Sequence, residues 1–258
     1  SKLNINEIER NGQWSDIDPE ITGIETNSTR VEKGNIFLAK AGATKNSHGV
    51  LFSNQAIERG ASLVITDPEG FKFASDKDLK TNIPFLLVRN LESTFDYLCQ
   101  IFYPDKPKFV MGVTGTNGKT SVVNFSQQLI EKKNNSCVTI GTLGVGGVLN
   151  FRTGNTTPDQ SFIARILQMA KLKGADYALL EVSSHSIVQQ RIKNLEFNVF
   201  CFTNLSQDHL DYHIDMETYF HAKLSILDML RLDTIIIVNI DDEYGKIFFA
   251  KAKDKGFK

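Results

Sequence analysis

The stretch Gly112-Val113-Thr114-Gly115-Thr116-Asn117-Gly118-Lys119-Thr120 constrains this chain more than any other. It follows Lys108-Phe109-Val110-Met111, an apolar run that reads as a buried strand, and it precedes Ser121–Lys132, which reads as a helix. A strand, a glycine-rich turn and Gly-Lys-Thr opening a helix form a cradle for phosphate. Glycines let backbone N–H groups approach the anion, and the helix start adds partial positive charge. Lys119 is then expected to reach the outer phosphates and the Thr120 hydroxyl to hold Mg²⁺. The common phosphate-loop pattern wants glycine five places before Gly118; Val113 stands there, and Gly112 lies one place earlier.

The 258 residues suffice for two domains or one large α/β domain, and 41% hydrophobic content supplies a substantial core. A net charge of −1 gives no bulk drive toward nucleic acid or an anionic membrane. Cys99, Cys137 and Cys201 lack metal-ligand spacing and fit a reducing cytosol. The polar start, Ser1-Lys2-Leu3-Asn4, has no signal-peptide core, and Ser1 in place of Met suggests a processed or engineered start. No apolar run approaches membrane-spanning length.

Residues 1–88 read as a small α/β unit, with strands at Asn35–Ala39, Ser62–Thr66 and Pro84–Val88 and a helix closing on Gly60. Glu69 to Asn82 reads as a solvated, charged connector. Asn90–Phe102 has helical apolar spacing at Leu91, Phe95, Leu98 and Phe102, and Tyr103–Pro107 breaks the chain. From residue 108 onward strands and helices alternate. The helix over 119–133 leads to strand Cys137–Ile140, and a glycine-rich stretch over Gly141–Gly147 leads on to a helix capped by Thr157 or Asp159. Tyr177–Leu180, Val199–Phe202 and Thr234–Val238 read as buried strands, and Asp215–Leu230 reads as a helix. Strands apolar on both faces, separated by helices, predict a mainly parallel, doubly wound sheet with ligands at the strands' carboxyl ends.

The remaining motifs fall at such ends. Glu181 closes a strand ahead of Val182-Ser183-Ser184-His185, and its carboxylate could share the Mg²⁺ with Thr120. The run Asp208-His209-Leu210-Asp211-Tyr212-His213 crowds two imidazoles and two carboxylates into six residues, which favours a ligand or catalytic role for His209. Further on, Tyr219-x-x-x-Lys223 puts Lys223 on a helix.

Taken together, Gly-Thr-Asn-Gly-Lys-Thr, Asn155-Thr156-Thr157-Pro158, Glu181–His185, Asp208–His213 and Tyr219-x-x-x-Lys223 resemble the Mur ligase family. The resemblance is strongest over residues 110–242. The paired histidines and the serine pair before His185 favour the branch that adds the third amino acid to UDP-MurNAc-L-Ala-D-Glu. Near the N-terminus the family pattern Asp-Ser-Arg-x-Val appears as Asn27-Ser28-Thr29-Arg30-Val31; Ser28 is kept, while Asn27 and Thr29 depart.

The resemblance implies an α/β protein. A small uridine-nucleotide domain (1–88) precedes a central ATP-binding P-loop domain (89–258) that is C-terminally incomplete, and the third, amino-acid-selecting ligase domain is absent. It implies ATP contacts at Gly115, Thr116, Asn117, Gly118, Lys119, Thr120 and Ser121, and UDP-MurNAc-dipeptide contacts at Ser28, Asn155, Thr156, Thr157, Ser183, Gln189 and Arg191. Two Mg²⁺ sites follow, one on Thr120 and Glu181 and one near His209, with Lys223 carbamylated as a further ligand. The implied partners are the precursor, ATP and an amino acid, in a cytoplasmic monomer that takes no nucleic acid and inserts in no membrane. A folylpolyglutamate synthetase-like ligase and a non-catalytic nucleotide-sugar-binding module remain the alternatives.

Overall fold

A computed structural model describes residues 8–11, 20–42, 47–76, 85–193, 195–208 and 213–258. The chain forms two compact units, Ser1–Pro104 and Asp105–Lys258.

The first unit holds a five-stranded sheet ordered β1-β5-β4-β3-β2, with β1 Ile8–Asn11, β2 Gly23–Glu25, β3 Asn35–Ala39, β4 Leu63–Thr66 and β5 Phe85–Val88. Neighbours are parallel except β1 against β5. Successive residues of β3 feed two cores. Ile36 and Leu38 pack with Leu91, Phe95 and Leu98 of α3 (Leu91–Phe102), whereas Phe37 and Ala39 pack with Ala56 of α1 (Ser53–Glu58). Burial on both faces is why this strand is continuously apolar.

Two sequence expectations change here. The units part after Pro104 rather than after residue 88, because α3 buries its apolar face on the first sheet. The stretch Glu69–Asn82, expected as a loop, begins inside a helix, α2 (Pro68–Asp76). Asp67 caps it by accepting from the Gly70 N–H at 2.8 Å, and Pro68 suits a first helical position. Residues 77–84 lie outside the described residues.

The second unit is built on a six-stranded sheet ordered β11-β10-β6-β9-β7-β8. Its strands are β6 Phe109–Thr114, β7 Cys137–Gly141, β8 Gly144–Gly147, β9 Tyr177–Glu181, β10 Val199–Phe202 and β11 Ile235–Val238. Neighbours are parallel except β7 with β8. α4 (Lys119–Lys132) covers one face, setting Val123 against Val113 and Leu179. The larger core lies on the other face, where α5 (Gln160–Leu172) contributes Ile163 and Ile166, and the C-terminal helix over Glu243–Asp254 contributes Phe248. Helices on both faces make the sheet doubly wound, as expected.

The glycine-rich stretch contains β8, which hairpins onto β7. α6 (Ser184–Val188) follows β9, and the helix expected to run to Leu230 is α7, Met216–Leu224, continued as a 3₁₀ turn over Ser225–Asp228. Strand β11 is not fully buried: it ends the sheet, and Ile235 and Ile237 are 52% and 51% exposed. Among the described residues no helix is long and apolar enough to cross a membrane.

Candidate nucleotide and precursor site

Strand β6 delivers the chain into the phosphate loop. Gly115 takes φ +142°, and a β-carbon there would collide with the Thr203 hydroxyl. Gly118 takes φ +83° at the N-cap of α4, makes no side-chain cap, and has open space where a β-carbon would stand. The first N–H groups of α4 therefore face a space suited to an anion. Gly112 has a different task. A β-carbon on it would lie 2.6 Å from Phe200 Cε2, so this glycine permits close packing beneath the sheet. Val113 is a buried strand residue, which accounts for the shifted glycine spacing.

The loop after β10 braces this turn. Asn204 Oδ1 accepts from the Asn117 N–H at 3.0 Å, and Asn204 Nδ2 and Thr203 Oγ1 donate to the Asn117 carbonyl at 3.1 and 2.7 Å. Asn117 Nδ2 donates to Ser206 Oγ at 3.0 Å, and the Thr116 hydroxyl pairs with Tyr219 at 3.2 Å. Lys119 folds back on the loop, donating to the carbonyls of Gly115 at 2.9 Å and Thr116 at 2.8 Å. Burial lowers its pKa, against the pull of Glu181 and Asp208. Ser121 lies exposed in the first turn of α4.

Glu181, at the end of β9, is 2% exposed. Its Oε1 accepts from Thr120 Oγ1 at 2.9 Å and from the Thr142 N–H at 3.0 Å, and its Oε2 accepts from Thr142 Oγ1 at 2.9 Å. A β-carbon on Gly141 would strike the same carboxylate. Adjacent ligands on an octahedral Mg²⁺ stand roughly 2.9 Å apart, given metal–oxygen distances of about 2.0–2.1 Å. The Thr120 hydroxyl and Glu181 carboxylate have the hardness and spacing to serve one such ion.

Lys223, on α7, is 1% exposed. Its Nζ donates to the Gly115 carbonyl at 3.1 Å, the same oxygen that Lys119 uses, and sits 4.7 Å from the centre of the Tyr219 ring. Burial, and next the positive charge of Lys119, pull its pKa down to about 7, with Asp208 acting in the opposite sense. His213 is buried between the rings of Tyr219 and His185, with Nε2 2.8 Å from the Ser184 hydroxyl. His209 falls outside the described residues. Among the described residues no group of three His, Cys, Asp or Glu side chains could hold a metal.

Most of the expected substrate contacts form one group beside β9. Thr157 donates to the Glu181 carbonyl at 2.8 Å rather than capping α5, and it accepts from the Ser183 N–H at 3.1 Å. Ser183 caps α6 by accepting from the Ser186 N–H at 3.2 Å. Arg191 donates to the Thr157 carbonyl at 2.7 Å and through Nε and Nη2 to Gln189 at 2.9 and 2.6 Å. The guanidinium is thus held in place by its neighbours. Asn155 is exposed, and the Thr156 hydroxyl lies 3.2 Å from that of Thr142. Ser28 belongs to the first unit, where it is buried and donates to Gln55 Oε1 at 2.7 Å. The sequence reading gave no role to Thr142, Asn204 or Ser206. The last two lie just ahead of the Asp208–His213 run, and Thr142 lies in the glycine-rich stretch after β7, where nothing sets a threonine apart.

A mainly parallel, doubly wound sheet whose strand turns through Gly115 and Gly118 into a helix, with a lysine and a strand-end carboxylate at the turn, has the architecture of a P-loop unit. Residues 113–258 match the Mur ligase middle domain, and the chain belongs to the Mur ligase family. It is 39% identical over 229 residues to the UDP-N-acetylmuramoyl-L-alanyl-D-glutamate–2,6-diaminopimelate ligase of Rickettsia bellii, a match covering 86% of this chain and 45% of that protein. The Fusobacterium nucleatum protein of the same name is 35% identical over 235 residues, covering 89% of this chain and 46% of the relative. A solved structure of a ligase of that name superposes with a TM-score of 0.72 at 27% identity, over 97% of this chain and 49% of that one. The chain spans about half the length of the curated relatives it matches.

Proposed function

We propose that this chain carries the nucleotide and precursor sites of an ATP-dependent ligase that adds the third amino acid to UDP-MurNAc-L-Ala-D-Glu in peptidoglycan precursor synthesis. The observation that carries the reading is the meeting of Lys119 and Lys223 on one phosphate-loop carbonyl beside the held carboxylate of Glu181. In this reading the second unit takes ATP and the muramyl-peptide portion, and the first unit takes the uridine nucleotide near Ser28. The names of the relatives give the incoming amino acid as 2,6-diaminopimelate.

The reaction begins when the D-Glu γ-carboxylate attacks the γ-phosphorus of ATP. The bond to the bridging oxygen breaks, ADP leaves, and an acyl phosphate forms. The amine of the incoming residue then attacks the acyl carbon, and phosphate departs as the amide forms. Phosphoryl transfer of this kind needs positioning and charge neutralisation more than covalent help. Lys119 and the first N–H groups of α4 would hold the phosphates, while Arg191, kept rigid by Gln189 and the Thr157 carbonyl, would orient a substrate carboxylate. Magnesium held by Thr120 and Glu181 would neutralise charge on the ATP phosphates.

Lys223 is read as carbamylated. Its neutral amine adds to carbon dioxide, forming an N–C bond and releasing a proton, so that a buried cation becomes an anion with two oxygens. A pKa near 7 keeps neutral amine present at physiological pH, and the resulting oxygens would suit a second Mg²⁺. Carbon-13 NMR with labelled bicarbonate is expected to show a carbamate resonance that Lys223→Ala removes.

The test of the whole reading is equilibrium binding of UDP-MurNAc-L-Ala-D-Glu and of folate. Binding of the precursor alone is expected; binding of folate with no response to the precursor would contradict the reading and favour a folylpolyglutamate synthetase-like ligase.

A further inference from the structure

Thr142 follows β7 and is exposed at the rim of the site. Its side chain nevertheless joins two groups that the proposed function assigns to different ligands. The hydroxyl has one proton to give, and it goes to Glu181, because a carboxylate only accepts. The second contact, 3.2 Å to the Thr156 hydroxyl, therefore has Thr156 as its donor. The result is a chain of one polarity, Thr156 O–H to Thr142 O–H to Glu181 carboxylate. The Thr142 N–H adds a second hold on Glu181, and the absence of a side chain on Gly141 leaves the carboxylate room to lie there.

We propose that Thr142 is a positioning residue that fixes the cation-binding carboxylate of Glu181 and the substrate-side hydroxyl of Thr156 together, so that the nucleotide and precursor sites are set by one hydroxyl. Two consequences follow from the chemistry. Glu181 cannot swing away from Thr120 without giving up the Thr142 hydroxyl. Thr156, its proton committed to Thr142, is left to accept hydrogen bonds from the precursor, which matches it to an amide N–H or a sugar hydroxyl rather than to a carboxylate. This inference rests on the proposed function for the identity of the two ligands.

The test is calorimetric binding to this chain, with Mg²⁺·ATP and UDP-MurNAc-L-Ala-D-Glu titrated separately against wild type, Thr142→Val and Thr142→Ser. Valine keeps the shape and removes the hydroxyl; serine keeps the hydroxyl. Thr142→Ser is expected to melt with the wild type, and Thr142→Val somewhat lower, since valine leaves Oε2 of the buried Glu181 carboxylate without its hydroxyl donor. Loss of a hydrogen bond to a charged group is expected to weaken both ligands in Thr142→Val by roughly tenfold or more, with Thr142→Ser restoring both. Adding Thr156→Val to Thr142→Val is expected to weaken precursor binding further, since the hydroxyl that accepts from the precursor is then gone, and to leave Mg²⁺·ATP affinity at the Thr142→Val value. A Thr142→Val chain that binds both ligands like wild type, or loses only one of them, overturns the inference while leaving the proposed function standing. A wild-type chain that does not bind the precursor overturns the proposed function and this inference with it.

Discussion

The two units finish their parallel strands in opposite ways. In the first, the ends of β3 and β4 close on themselves. His48 is buried, with Nε2 3.3 Å from Asp67, Nδ1 accepting the Val50 N–H at 3.1 Å, and its ring stacked on Phe73. The Thr66 hydroxyl donates to the Ala39 carbonyl at 3.2 Å, and Gly70 leaves no room for a β-carbon against His48 and Thr66. In the second unit, the end of β6 opens into a loop with positive-φ glycines, an uncapped helix start and two lysines on one carbonyl. The first arrangement turns its polar groups on one another, although His48 Nε2, 3.3 Å from Asp67, makes no hydrogen bond. The second gathers Lys119 and Lys223 on one carbonyl at an uncapped helix start, with Asp208 as a nearby counter-charge. Substitutions in the first should therefore cost stability, and substitutions in the second should cost binding.

Gly70→Ala gives the largest expected stability effect. Helix propensity alone would favour alanine by about 0.5–1 kcal/mol. The collision with the buried His48 and Thr66 side chains wins, at about 1–3 kcal/mol. Denaturant unfolding should show the loss, with Mg²⁺·ATP affinity close to wild type. A neutral or stabilising outcome would break the contrast.

Lys223 sharpens it from the other side, because a buried amine is a stability cost kept for chemistry. Its folded pKa, about 7, lies below its ordinary 10.5. Below pH 7 folded and unfolded chains both hold the proton, and the penalty is complete. Between about 7 and 10.5 the unfolded chain binds more protons, so stability rises with pH; above that range the penalty is gone. Lys223→Met is therefore expected to be more stable than wild type at pH 6 in carbonate-free buffer, with the gap closing toward pH 10. Unfolding curves across that range check it, and a gap that widens with pH would contradict the assignment.

The smallest effect concerns an ordinary cap in the first unit. Asn90 accepts from the Ser93 N–H at 3.0 Å at the start of α3. Asn90→Ala should cost about 1 kcal/mol in unfolding free energy and leave the binding of Mg²⁺·ATP unchanged.

The sequence disclosed what periodicity and local chemistry encode. Strands β3, β9 and β10 were legible because burial on both faces demands continuous apolar runs, and the phosphate loop because its backbone demands glycine. The α2 helix was obscured by charged residues, since its signal is a short Asp-Pro start rather than an apolar stripe. Strand β11 read as buried because four consecutive β-branched residues look alike whether a sheet continues past them or stops. At the site, Lys119 and Thr120 were legible from adjacency. Thr142 and Asn204 were not: each is a single polar residue after a strand, and only the fold brings it to Glu181 or Asn117. The burial of Lys223 against Gly115, 108 positions away, has no local signature either; the resemblance to a family pointed to this lysine.

The most direct test of the contrast is a calorimetric titration of Mg²⁺·ATP into wild type and Lys119→Ala, with the melting temperature recorded on the same samples. Wild type should bind, and Lys119→Ala should bind roughly 10- to 100-fold more weakly at an unchanged or higher melting temperature, since Lys119 carries a desolvation cost. Equal affinities in the two proteins, or no binding by wild type, would contradict the claim that the strand ends of the second unit are built for a phosphate ligand.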